Sequence, residues 1–267
     1  LLATPAFLRS YARYATKDQF STLKLVITGA EKLSLSQAES FKEKFGIMPL
    51  EGYGATECSP VVSLNIPDNI IGGFKNQGNL TGTVGRVLPG ITAKIINPET
   101  QQETGYDTEG ILYVKGASVM TGYFNNSEET AKVLNDGWYN TGDIASINMD
   151  GFITLHGRLS RFSKIGGEMV SHGAIEEIIQ EKCSSDNRCV AVTAIPDELR
   201  GEKLVIIHTV DEDLIRRIIN NSDLPNLWKP ALFIKADSLP LTGSGKLDIK
   251  GLNAIALERI SNQYDVK

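Results

Sequence analysis

Between residues 83 and 157 the apolar side chains fall in short β-branched or aromatic runs, at 91–96, 111–114 and 152–155, broken by Pro-Gly, Thr-Gly and Asp-Gly pairs. Runs this short, punctuated by turn-forming pairs, leave little room for helices and predict a mostly antiparallel sheet. One helix interrupts it at 127–134, where Ser-Glu-Glu-Thr supplies the polar and acidic start that a helix N-terminus favours. Past Arg158 the rhythm changes to alternating elements: helix 174–182, strands 190–195 and 204–210, helix 214–220, strand 232–234 and helix 249–260. Near the start, the apolar run 23–28 ends at Gly29 and a helix-spaced segment follows a Ser cap at 34–45, a strand–turn–helix pattern. The fold class is therefore mixed α/β: helices and an antiparallel β subdomain over 1–159, then a small α/β domain of its own over 160–267. No Pro- or Ser-rich linker marks the boundary at Leu159–Ser160, which predicts a hinge rather than a tether.

A chain of 267 residues can bury one large core or two smaller ones. Hydrophobic residues at 41% and charged residues at 22% are ordinary globular usage, against disorder or a fibre. With 27 basic and 32 acidic side chains the formal charge is −5, so the chain has no overall attraction for nucleic acid or an anionic bilayer. Cys58, Cys183 and Cys189 are odd in number and lack C-x-x-C spacing, which disfavours a disulfide framework or zinc ribbon and fits a reducing cytoplasm. No apolar run approaches the roughly 20 residues of a membrane span. The sequence opens Leu-Leu-Ala-Thr-Pro with a helix start at Pro5, so we expect a fragment of a longer protein.

Four clusters carry chemistry. Gly52-Tyr53-Gly54-Ala55-Thr56-Glu57 offers close backbone approach, a ring to stack on a base, a hydroxyl for a phosphate oxygen and a carboxylate for Mg²⁺. A Gly-rich turn with a surface acid would look the same. In Trp138-Tyr139-Asn140-Thr141-Gly142-Asp143 the Asp follows a Thr-Gly turn and suits both hydroxyls of a ribose, or its own backbone. Residues 157–168 combine Arg158, Arg161 and Lys164 with Gly166-Gly167 between a strand and a helix, a setting for oxyanions. Leu241-Thr242-Gly243-Ser244-Gly245-Lys246 is not a Walker sequence, because Pro240 and Leu247 stand where Gly and Ser/Thr are required. A Gly-rich loop presenting one lysine can still stabilise a phosphoryl transition state.

Together with Gly110-Ile111-Leu112, Gly116 and Gly122-Tyr123, these ordered clusters resemble the adenylate-forming superfamily of acyl-CoA synthetases, peptide-synthetase adenylation domains and luciferases. The resemblance runs from about Leu25 to Asp248. Lys164-Ile165-Gly166-Gly167-Glu168-Met169-Val170-Ser171, Ala174-Ile175-Glu176 and Arg200-Gly201-Glu202 look most like bacterial acyl-[acyl-carrier-protein] synthetases, fused behind an acyltransferase that reacylates 2-acylglycerophosphoethanolamine.

The resemblance implies ATP-dependent activation of a fatty acid and transfer to the pantetheine thiol of acyl carrier protein, with Mg²⁺. Residues 1–159 would be the C-terminal part of the large AMP-binding domain. Gly29, Ala30, Glu31, Gly52 and Tyr53 would line the adenine site, Thr56 would meet the α-phosphate, Glu57 the metal, and Asp143 with Arg158 the ribose. Lys246 would be the catalytic lysine, Gly166 and Gly167 would line a thiol tunnel, and Ser160, where many relatives have Asp, would be the hinge. The phosphate loop would precede Leu1, so this fragment is expected to turn over poorly alone. A parent enzyme would act on a lysophospholipid at the bacterial inner membrane. The other readings are an acyl-CoA synthetase, a peptide-synthetase domain, or a degenerate module that binds nucleotide or carrier.

His156, His172 and His208 lack i, i+4 partners and are expected to be structural. Trp228 is assigned to a core, Glu176-Glu177 to a solvated helix face, and Arg188 with Lys203 to a patch for an acidic carrier.

Overall fold

The computed structural model describes residues 1–183, 188–243 and 246–264, with backbone alone for Ile71, Lys75 and 260–264. Ser244 and Gly245 of the lysine loop lie outside the described residues. Two compact units form, Leu1–His156 and Gly157–Lys267, dividing inside the strand Ile153–Arg158. The expected pivot, Ser160, sits in the 3₁₀ turn Leu159–Arg161.

In the first unit, strands Leu2–Ala3, Ile27–Thr28 and Leu50–Gly54 run parallel, and Val61–Leu64 and Arg86–Val87 extend the sheet antiparallel. Helices α1 (Pro5–Tyr14) and α2 (Leu35–Phe45) start on Thr4 and Ser34, whose hydroxyls accept from the amides of Phe7 and Gln37. Leu8, Val26, Phe41 and Phe45 form the core beneath them, with Phe20 against both phenylalanines of α2. The second sheet of this unit is the antiparallel one expected: Ile91–Ile96, Gly110–Gly116, Trp138–Ile147 and Leu134–Asn135 side by side, with Ile153–Arg158 paired to Trp138–Ile147. α3 (Ser127–Val133) interrupts it, capped by Asn126.

The second unit is a sheet buried on both faces. Strands Val190–Asp197 and Gly201–His208 pair antiparallel, and Leu232–Lys235 joins the latter in parallel. Alternate residues take alternate sides: Val190, Val192, Leu204 and Ile206 pack on α4 (His172–Lys182) and α5 (Glu212–Asn220), while Ala191, Ile195, Val205 and Ile207 pack on α6 (Ile249–Tyr264). Trp228 is half-buried against the first of these cores. Among the described residues, no helix is long and apolar enough to cross a membrane.

The structure departs from the sequence expectation at Gly166-Gly167 and at Glu176. Gly166-Gly167 does not join a strand to a helix; it is the turn of a hairpin, Phe162–Ile165 with Glu168–Ser171, and α4 begins only at His172. Both glycines have positive φ, +58° and +92°, as the type I′ form of a two-residue hairpin turn requires. Glu176 is not on a solvated face either. It is buried, because its carboxylate binds Arg161 and the amide of Val192.

Candidate functional site

Because Ile27–Thr28 and Leu50–Gly54 run parallel, with Thr28 beside Glu51, the loop that leaves Thr28 emerges next to Gly52 and Tyr53. This is the carboxyl end of parallel strands, where open α/β sheets take ligands. A Cβ on Gly29 would lie 3.4 Å from the carbonyl oxygen of Gly52, so Gly29, Ala30 and Glu31 share an edge with the Gly52 strand. Ala30 holds φ +71°, a conformation costly for a residue with a Cβ. Glu51 fixes the far end of the loop by accepting the amide of Leu33 at 3.1 Å, and burial raises its pKa. Sequence reading passed over Glu51, which lies immediately before the Gly52 cluster.

The glycines of the cluster answer to their own fold. A Cβ on Gly54 would come within 2.2 Å of the Pro60 carbonyl oxygen, whose partner is the amide of Ala55. On Gly52 it would meet Leu64 at 2.7 Å. The chain then enters the 3₁₀ turn Thr56–Cys58, which leaves Thr56 exposed and Cys58 buried. Burial raises the Cys58 thiol to about 11, that of an inert core cysteine.

Asp143 reaches the same place from the second sheet. Asn140 pairs with Tyr113 and Ile144 with Ile111, so Thr141, Gly142 and Asp143 together face Leu112 in a bulge. Thr141 donates its hydroxyl to the Leu112 carbonyl at 2.9 Å and accepts the Asp143 amide at 3.0 Å. Asn140 Oδ1 accepts the amide of Gly142, which sits at φ +69°. The local turn bonds are thus made by Asn140 and Thr141, and the nearly buried Asp143 carboxylate accepts the hydroxyl of Tyr53.

Glu57 is held twice by the segment after Gly116. Its carbonyl accepts the Met120 amide at 2.7 Å, and its Oε1 accepts the Tyr123 hydroxyl at 2.8 Å. Tyr123 in turn interacts with the buried Tyr139. Burial first, and then Glu57, through its hydrogen bond at Tyr123 and its charge at Tyr139, raise both phenol pKa values, so both stay protonated. The spacing of Gly122-Tyr123 and Tyr139 in the sequence points to no role for either phenol.

The other named residues belong to the second unit. Arg158 ends its strand with the side chain exposed, as is Ser160. The Gly166 amide donates to Arg200 O at 2.9 Å and the Lys164 amide to Glu202 at 2.7 Å, so Arg200-Gly201-Glu202 braces the hairpin turn. Lys246 is exposed on a short loop closed by the Leu241–Leu247 bridge, with Lys246 O accepting the Thr242 amide at 2.7 Å. The three histidines are bound within the fold: His156 with Ser146, His172 with Ser163, and His208 with the Val210 carbonyl.

Among the described residues, no group of three or more His, Cys, Asp or Glu side chains could hold a metal ion. Glu57 offers one hard carboxylate, a set that fits Mg²⁺ held jointly with nucleotide phosphates rather than by protein alone.

Residues 1–124 match the family described as AMP-binding enzyme. The chain is 29% identical to luciferin 4-monooxygenase of Photuris pensylvanica, over 94% of this chain and 46% of that protein. It is 30% identical to a long-chain-fatty-acid–CoA ligase of Yersinia pestis, over 87% of this chain and 40% of that one. The chain thus spans less than half the length of these relatives. Among solved structures, MatB of Rhodopseudomonas palustris is 26% identical and matches with a TM-score of 0.78 when ATP-bound, covering 97% of this chain and 51% of that one. The apo structure of MatB matches with 0.64, over 94% and 50%.

Proposed function

We propose that the chain belongs to the AMP-binding enzyme superfamily and is the catalytic C-terminal portion of a ligase that activates a fatty acid with ATP and passes the acyl group to acyl carrier protein. The observation that carries the reading is the Tyr53–Asp143 hydrogen bond, which joins the first and second clusters across 90 residues beside the Gly29 loop. An aromatic ring with a loop beside it at the ends of parallel strands can take a base, and the buried carboxylate a ribose.

In this reading Gly29, Ala30, Glu31, Gly52 and Tyr53 receive adenine, and Asp143 with Arg158 the ribose hydroxyls. Thr56 faces the α-phosphate. Mg²⁺ held by Glu57 and the phosphates would neutralise charge on the leaving pyrophosphate. A carboxylate oxygen of the acid attacks the α-phosphorus, the bond to pyrophosphate breaks, and no base is required because the nucleophile is already an anion. The Lys246 ammonium lies between acid and phosphate and stabilises the charge that grows there. In the second step a pantetheine sulfur attacks the acyl carbonyl and AMP departs, with the Gly166-Gly167 turn beside the thiol and the small unit turning about Ser160.

Acyl carrier protein as acceptor, within an enzyme that reacylates lysophospholipid at a membrane, is supported by the stretch 164–171 and by Arg200-Gly201-Glu202. The test uses the full-length enzyme. Fatty acid and ATP should give pyrophosphate and then an acyl thioester on carrier protein in preference to CoA. Lys246→Ala should cut adenylate formation roughly 10²–10³-fold while nucleotide affinity, measured by calorimetry, changes little. Preference for CoA would make it an acyl-CoA synthetase. Nucleotide binding without any adenylate would make it the degenerate module.

A further inference from the structure

Beside Glu57, two segments far apart in sequence are tied together through their backbones. The Met120 amide donates to the Glu57 carbonyl at 2.7 Å, and the Tyr123 amide donates to Oγ1 of Thr130 in α3 at 2.9 Å. Thr130 donates its hydroxyl to the Asn126 carbonyl at 2.8 Å, and Asn126 Oδ1 caps the helix by accepting the Glu129 amide at 3.1 Å. Gly122 permits this approach, since a Cβ there would lie 2.8 Å from Cγ2 of Thr130. The Tyr123 ring therefore leaves a fixed backbone, and its hydroxyl donates to Glu57 Oε1 at 2.8 Å. Glu57 Oε2 carries no hydrogen bond among the described residues.

A phenol bound to one carboxylate oxygen limits what the carboxylate can offer a cation. Ca²⁺ has a large, loose shell and readily takes both oxygens of a carboxylate, whereas Mg²⁺ keeps a strict octahedron, retains several waters and takes one. With Oε1 engaged by a neutral donor, Glu57 has a single free oxygen in a set direction. We infer that Tyr123 is a positioning residue that holds Glu57 to single-oxygen contact and so biases a metal–nucleotide site toward Mg²⁺ and against Ca²⁺. The inference rests on the reading that gives Glu57 the metal, and adds to it the residue that selects which metal. Hydrogen-bond donors to ligating carboxylates are worth about 10–100-fold in metal affinity, so the bias is large enough to measure. A phenol that only propped the fold would affect both cations alike.

Calorimetry of ATP binding to the full-length enzyme without fatty acid is the test, run in turn with Mg²⁺, with Ca²⁺ and with EDTA. Tyr123→Phe keeps the ring and removes one hydroxyl from a side chain that is 36% exposed, so the thermal midpoint should not move. ATP binding with Mg²⁺ should weaken about tenfold, while binding with Ca²⁺ changes little and binding in EDTA not at all. The preference for Mg²⁺ then narrows by the same factor. Equal losses with both cations, or a matching loss in EDTA, would overturn the inference. Glu57→Gln tells the two layers apart. If ATP binding keeps its metal dependence in that variant, the metal does not sit on Glu57, and it is the functional reading at this residue that has failed, taking the role of Tyr123 with it.

Discussion

Tyr53 shows how one hydroxyl can set the character of a site. It donates to a carboxylate that is only 6% exposed, so Tyr53→Phe deprives a buried charge of a donor and should lower unfolding free energy by about 1–3 kcal/mol in urea titrations. Nucleotide affinity should weaken alongside, since Asp143 loses the bond that aims it. Gly54 sets a different limit. Alanine there would press its methyl against the backbone of Pro60, so Gly54→Ala should cost about 1–3 kcal/mol by thermal or urea unfolding, with no polar group changed. The sequence displayed both residues openly but hid their partners: Gly-rich spacing suggests room for a ligand, whereas here the room is taken by the next strand.

At the scale of elements, the hairpin Phe162–Ile165 with Glu168–Ser171 is pinned to α4 by Ser163 and His172. Burial, and secondarily the Arg161 charge, lower the His172 pKa from 6.5 to about 3, so the imidazole is neutral in the fold. The unfolded chain therefore binds the extra proton between pH 6.5 and about 3. Stability from this group is fully present above 6.5 and is lost as pH falls through that window, by roughly 2 kcal/mol at pH 5. Urea midpoints at pH 7 and pH 5 should show that loss in the wild type and a smaller one in His172→Gln. Most helices and the antiparallel sheet were legible from periodicity and caps, because Pro5, Ser34 and the Pro-Gly and Asp-Gly pairs act locally. The hairpin was not, since Gly166-Gly167 serves a strand-to-strand turn as readily as a strand-to-helix one. Glu176 was misassigned because its partners Arg161 and Val192 come from other elements.

For the whole molecule, the order of the clusters could be read along the chain, but their meeting could not. Glu57 and Tyr123 are 66 residues apart, and only the folded sheets bring phenol and carboxylate to 2.8 Å. The same holds for Glu51, a carboxylate drawn inward by Leu33. The three residues that face Leu112 carry a wider consequence. Two of them are surplus to the ladder, an even number, so the residues beyond still alternate in step with those before. Asp143 therefore rides on spare length, and a substitution there leaves the sheet's inside-outside order in place: the chemistry of this position can drift while the antiparallel sheet around it stays the same.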